Sequence, residues 1–161
     1  MKASIPSSAS SRGVAAVELA LWLPFLVLLL GAGLFLARFF WHYTVAQKAA
    51  HDAARFLAAA TVTEMRVPPV GGGADNPVAA IARKIANDEI AELRPGGLYS
   101  PQINVVCDVF YPCAGQFVPK KVSVSIEMSV TDIFFPNLTY GLFNTDSLLI
   151  QTAVTTNYVG D

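Results

Sequence analysis

A single carboxylate, Glu18, opens an apolar stretch that carries no formal charge from Leu19 to Ala37. An acid against hydrocarbon is costly unless it is protonated or paired, so its placement makes it a candidate functional residue. The plainer alternative is a side chain that snorkels to the headgroups. Cys107 and Cys113 bracket five residues that include Pro112. That spacing fits a disulfide stapling a hairpin in an oxidising compartment. Two thiols alone are too few for a zinc site, and a redox pair would stand closer together. His42 and His51 are nine residues apart, on opposite faces of any helix that holds them, and cannot share a metal there.

Catalytic signatures are missing. The sequence has no phosphate-binding glycine loop, no HExxH, no GxSxG and no Asp-x-Ser-x-Ser metal motif. Asp88, Glu89 and Glu92 fall on a helix that reads as a solvated surface. No cofactor, no metal and no enzymatic activity are expected. Eleven Lys and Arg balance twelve Asp and Glu for a net charge of −1. No basic cluster supplies the electrostatic footprint of a nucleic-acid binder. Hydrophobic residues make up 53% and charged ones 14%, which fits a membrane protein better than an average soluble domain.

The element that positions Glu18 must be a helix. At about 1.5 Å per residue, Leu19 to Ala37 is long enough to cross a hydrocarbon core of ~30 Å. Pro24 removes one backbone hydrogen bond inside it and favours a kink. Gly31, Gly33 and Ala37 allow close approach of another helix. Phe39, Phe40, Trp41 and Tyr43, beside Arg38, suit a membrane–water interface, whereas Trp22 is too deep for the opposite belt and reads as a packing residue. Residues 1–13 are a polar leader, and residues 14–62 are expected to form one long helix. Past the bilayer its small face is Val45, Ala46, Ala49, Ala50, Ala53, Ala54, Leu57 and Ala58. Residues 63–75, with RVPPVGGGAD at 66–75, read as a linker.

Residues 76–161 are expected to fold as a small α+β domain. Asn76-Pro77 looks like an N-cap followed by Pro at the first helical position. Val78, Ile81, Ile85 and Leu93 would form the buried stripe, and Pro95-Gly96-Gly97 the stop. Ile103 to Val109 is one strand candidate. Val122, Val124, Ile126, Met128 and Val130 alternate strictly with polar residues, as a strand with one buried face does. Leu148 to Val159 is a third strand, with Leu148, Ile150, Val154 and Tyr158 on one face. Asp132 to Asn144 (DIFFPNLTYGLFN) reads as a loop that packs back on the core or docks on a partner. Asn137-Leu138-Thr139 matches a glycosylation triplet of the kind that arises by chance.

RGVAAVELALWLPFLVLLLGAG, followed by AQKAAHDAARFLAAA, resembles the N-terminal module of TadE-like proteins, pseudopilins of bacterial tight-adherence (Flp) pilus systems. The match covers Arg12 to Ala60: a Gly, an acid five residues later, a Leu-Pro in the apolar run, and an Ala/Arg helix beyond. Leu19 stands where such prepilins carry an aromatic. The resemblance implies that a prepilin peptidase cuts between Gly13 and Val14. It also implies that Glu18 then pairs with the N-terminal amine of a neighbouring subunit. Its implied partners are the inner membrane, other pilins and pseudopilins, the peptidase and the pilus assembly platform.

The expectation is therefore an α+β protein: a long transmembrane N-terminal helix, then a periplasmic domain with an antiparallel sheet and one amphipathic helix. It would be inner-membrane and single-pass, with a cytoplasmic N-terminus. The expected role is that of a minor pseudopilin in assembly or initiation of a tight-adherence pilus. The main rival is an uncleaved, membrane-anchored periplasmic scaffold or binding protein. A remoter one is a secreted β-rich adhesin or envelope enzyme, with Gly31-Ala32-Gly33 serving as a signal-peptide cleavage site.

Overall fold

The computed structural model describes residues 11–71, 73–93, 100–108, 111–135, 140–141, 144 and 147–160. The leader through Ser10, the Pro95-Gly96-Gly97 stop, Val109 and the Asn137-Leu138-Thr139 triplet lie outside the described residues.

One helix dominates. α1, Ser11–Ala58, runs unbroken for 48 residues, about 72 Å at ~1.5 Å per residue. The chain then makes a short helix, α2 (Val62–Met65), and a longer one, α3 (Pro77–Ala91). Three strands follow: β1 (Gln102–Cys107), β2 (Lys121–Thr131) and β3 (Ser147–Asn157). They form one antiparallel sheet in the order β1-β2-β3. The fold is α+β in two layers, with α1 lying over β2 and β3 and α3 over β1.

The alternation read in β2 fixes which face is covered. Val122, Val124, Ile126, Met128 and Val130 are buried against the helices, joined by Ile103 and Val105 of β1 and Ile150 of β3. The register sets Val124 opposite Val105 and Val154, and Ile126 opposite Ile103, so each branched side chain meets another across the ladder. The far face carries Ser123, Ser125 and Glu127, with Glu127 accepting a hydrogen bond from Gln151 at 3.0 Å.

The helical layer is built on alanine. Ala46, Ala49, Ala50, Ala53, Ala54 and Leu57 of α1 are fully or almost fully buried, as are Ala79, Ala82, Ala86 and Ile90 of α3. This corrects the stripe read from the sequence at one position: Ile81 is 49% exposed, whereas Val78 is buried and Leu93 packs against the core as expected. Small side chains let two helices approach at the short end of the 8–10 Å range, and the flat alanine face of α1 selects the flat face of α3. Lys48 of α1 reaches Glu89 of α3 at 3.4 Å and Asp52 at 3.6 Å. Glu89 and then Asp52 raise its pKa above the ordinary lysine value.

Residues 63–75 are more than a spacer. α1 stops at Ala58, short of Val62. Thr61 caps α2 through a capping box in which Glu64 accepts from the Thr61 N–H at 2.9 Å and Thr61 Oγ1 accepts from the Glu64 N–H at 3.3 Å. Met65 is buried. Asn76, also fully buried, caps α3 by accepting from the Ala79 N–H at 2.8 Å, and its Nδ2 donates to the Met65 carbonyl at 3.0 Å. One side chain therefore starts α3 and fastens the preceding segment to it.

Candidate functional site

The site to build is the long helix and the way the domain grips it. From Gly13 to Leu30 every residue of α1 is exposed, so this part projects from the folded domain as a single apolar rod. Glu18 lies on it, exposed, and makes no ion pair or hydrogen bond with another described side chain. α1 is helical across the Gly13–Val14 bond, and a Cβ at Gly13 would meet nothing. Pro24 sits inside the continuous helix, and its missing N–H leaves the Ala20 carbonyl without the usual helical partner. Trp22, 62% exposed, stacks edge-on with Phe25 of the same helix at 6.1 Å.

The domain takes hold of α1 at Gly31. Gly31 and Phe35 are buried, and the covered face continues through His42 into the alanine seam. Phe135, just beyond β2, lies over Gly31: a Cβ there would collide with ring carbon Cε2 and stand 2.8 Å from Cδ2. The helix-packing role expected of Gly31 is thus filled within the chain, by an aromatic ring that only glycine admits. Gly33 faces open space, and Ala37 is exposed on a groove that Glu92 and Leu93 at the end of α3 also line. Nearby, Arg38 Nη1 donates to the Thr131 carbonyl at 3.0 Å, and the buried Asp132 accepts from the Phe134 and Phe135 N–H groups at 2.8 and 3.1 Å.

The opposite end is fastened too. Tyr158 Oη donates to the Ala60 carbonyl at 2.7 Å, and the Val159 N–H donates to the Ala58 carbonyl at 3.1 Å. The sheet is therefore pinned to α1 near Arg38 and to the chain just past its end at Ala60, and the projecting rod continues the same helix.

Cys107 and Cys113 form a disulfide. It closes the loop after β1, where the Cys107 and Tyr111 backbones bond each other at 2.7 and 3.1 Å. The Cys113 carbonyl also accepts from the Asn76 N–H at 2.7 Å, which ties the stapled loop to the α3 cap. Gly115, at φ +76°, passes so close to the Val67 carbonyl that a side chain would collide with it.

The histidines part company. His51 is exposed, whereas His42 is 4% exposed and its Nδ1 lies 2.8 Å from the Arg38 carbonyl. A carbonyl only accepts, so Nδ1 carries the proton. Among the described residues, no group of three or more His, Cys, Asp or Glu side chains is placed to hold a metal.

The family model described as TadE-like protein matches residues 13–55, from the first residue of the rod to near the end of the alanine seam. No curated protein and no solved structure matches the chain. α1 is the one candidate membrane span among the described residues, judged by its length and composition.

Proposed function

We propose, from a chain whose residues 13–55 are TadE-like, that it acts as a minor pseudopilin in the assembly or initiation of a tight-adherence pilus. The observation that carries this reading is the bare rod from Gly13 to Leu30, with Glu18, which has no partner among the described side chains, near its tip. A carboxylate in hydrocarbon gains most from an opposite charge. Cleavage after Gly13 by a prepilin peptidase would create such a charge, the amine of Val14, one helical turn from Glu18. Within a subunit the two lie on one helix; between subunits the amine of one pairs with Glu18 of the next, and each removes the other's desolvation cost. Gly33 and Ala37, both exposed on α1, are the surface along which the neighbouring helix lies. The role is structural, with the N-terminus in the cytoplasm and the sheet domain in the periplasm, anchored in the inner membrane until the assembly platform extracts the bundle.

A second reading, a permanently anchored periplasmic scaffold, is favoured by the helical backbone across Gly13–Val14 and by Leu19 after the acid. Glu18→Gln separates the two. The pseudopilin reading expects normal membrane insertion but loss of co-purifying pilins. Undiminished co-purification removes the role of Glu18.

A further inference from the structure

We propose that Ile133, Phe134 and Phe135, which follow β2, dip into the outer leaflet of the membrane, so that the domain is held by lipid as well as by its helix. This rests on reading α1 as a membrane span. Glu18 and Arg38, the charges that bound the apolar run, are twenty residues apart, about 30 Å of helix, which matches a hydrocarbon core of ~30 Å. The bare rod ends at Leu30, only about 18 Å beyond Glu18. The bilayer must therefore also cover the turns from Gly31 to Ala37, where the domain already lies against the helix. Gly31 sits about 10 Å below Arg38, and Phe135 is packed on it.

The residues beside Phe135 suit that depth. Ile133 and Phe134 are 61% and 42% exposed, large apolar groups facing outward next to a membrane helix. On the outward face of β3, Leu149 is 61% exposed, the next outward position after Ser147, which pairs with Thr131 at this end, while Gln151, Ala153, Thr155 and Asn157 follow as the strand runs away from it. Backbone polarity is the usual bar to loops in lipid. Here Asp132 accepts from the N–H groups of Phe134 and Phe135, and Arg38 satisfies the Thr131 carbonyl. The insertion is partial: Phe135 reaches about 10 Å below Arg38, the depth to which interfacial elements bury an apolar face, with Phe134 and Ile133 beside it.

The test uses the full chain in phosphatidylcholine and phosphatidylglycerol vesicles carrying nitroxide labels at shallow or deep acyl positions. Phe134→Trp, and separately Ile133→Trp, are made with Trp22→Phe and Trp41→Phe. A third protein, with Trp41→Phe alone, reports the span through Trp22. The indole at 133 or 134 is expected to emit in the blue and to lose about half its intensity to shallow labels, as a group at the acyl boundary does. Aqueous iodide should leave it nearly untouched. Iodide quenching without lipid quenching at both positions, while Trp22 is quenched by lipid labels, overturns the insertion and leaves the span standing. Trp22 escaping the lipid labels overturns the span and the insertion together. Shielding from iodide only on addition of a second copy or another pilin makes the surface a protein interface and also overturns the proposal.

Discussion

The ring of Phe135 lies directly over Gly31, in a space that exists only because the glycine has no side chain. This contact joins the connection after the central strand to the part of α1 that leaves the domain. Gly31→Leu should expel the ring, at a cost of roughly 1–3 kcal/mol for overpacking a filled site. Hydrogen exchange of the Phe134 and Phe135 amides, which are bonded to Asp132, should rise while that of β2 stays unchanged. Unaltered protection of both amides would show that the ring is not seated on Gly31.

Asn76 holds two backbone groups of different segments, the Ala79 N–H and the Met65 carbonyl, and is fully buried. Asn76→Ala loses a cap and strands the carbonyl, at about 1–3 kcal/mol. Asn76→Asp keeps the cap acceptor and loses the donor. Thermal unfolding should rank wild type above both variants; equal midpoints would deny Asn76 its joining role.

The disulfide closes a loop with a sequence separation of 6, for which chain entropy gives about 2 kcal/mol. Cys107→Ser should abolish the mobility difference between reduced and non-reduced gels. It should also weaken the α3 cap, because Cys113 accepts from the Asn76 N–H. Free-thiol labelling of both cysteines in the native protein would contradict the bridge.

Glu64 yields a pH dependence of definite sign. The Thr61 backbone N–H, and then its hydroxyl, hold the Glu64 pKa below its ordinary 4.5. A carboxyl lowered by folding stabilises the fold fully above the unfolded value and loses that contribution as pH falls through the folded value. The stability gap between wild type and Glu64→Ala should thus be constant near neutrality and shrink as pH drops below 4.5. A gap that widens in acid would reverse the assignment.

Much of the architecture is legible in the residues themselves. Strict alternation from Val122 to Val130 specifies a strand and its buried face, and Asn76-Pro77 specifies a helix start, because both signals are local. Ile81 misleads because size suggests burial, whereas the buried face of α3 runs through Val78, Ala79, Ala82, Ala86 and Ile90; which surface α3 meets is not written in α3. At Gly31 the signal is incomplete for the same reason. A glycine in an apolar helix predicts close approach, but the group that approaches, Phe135, lies across the whole domain in sequence. The capping box at Thr61 and Glu64 has its signal in the Thr-x-x-Glu spacing, but the alanine-rich run before it invites the helix to continue. Glu18 stands out at once, since one acid in an apolar run needs no tertiary context to be noticed.

The central claim is that the chain is processed into a pseudopilin whose new amine serves Glu18 of a neighbour. The most direct test is the N-terminal residue of the mature protein, read by mass spectrometry from cells with and without the cognate prepilin peptidase. The account predicts a chain that begins at Val14 only when the peptidase is present. A chain that retains Met1 in the presence of active peptidase would contradict it and leave a fixed membrane anchor.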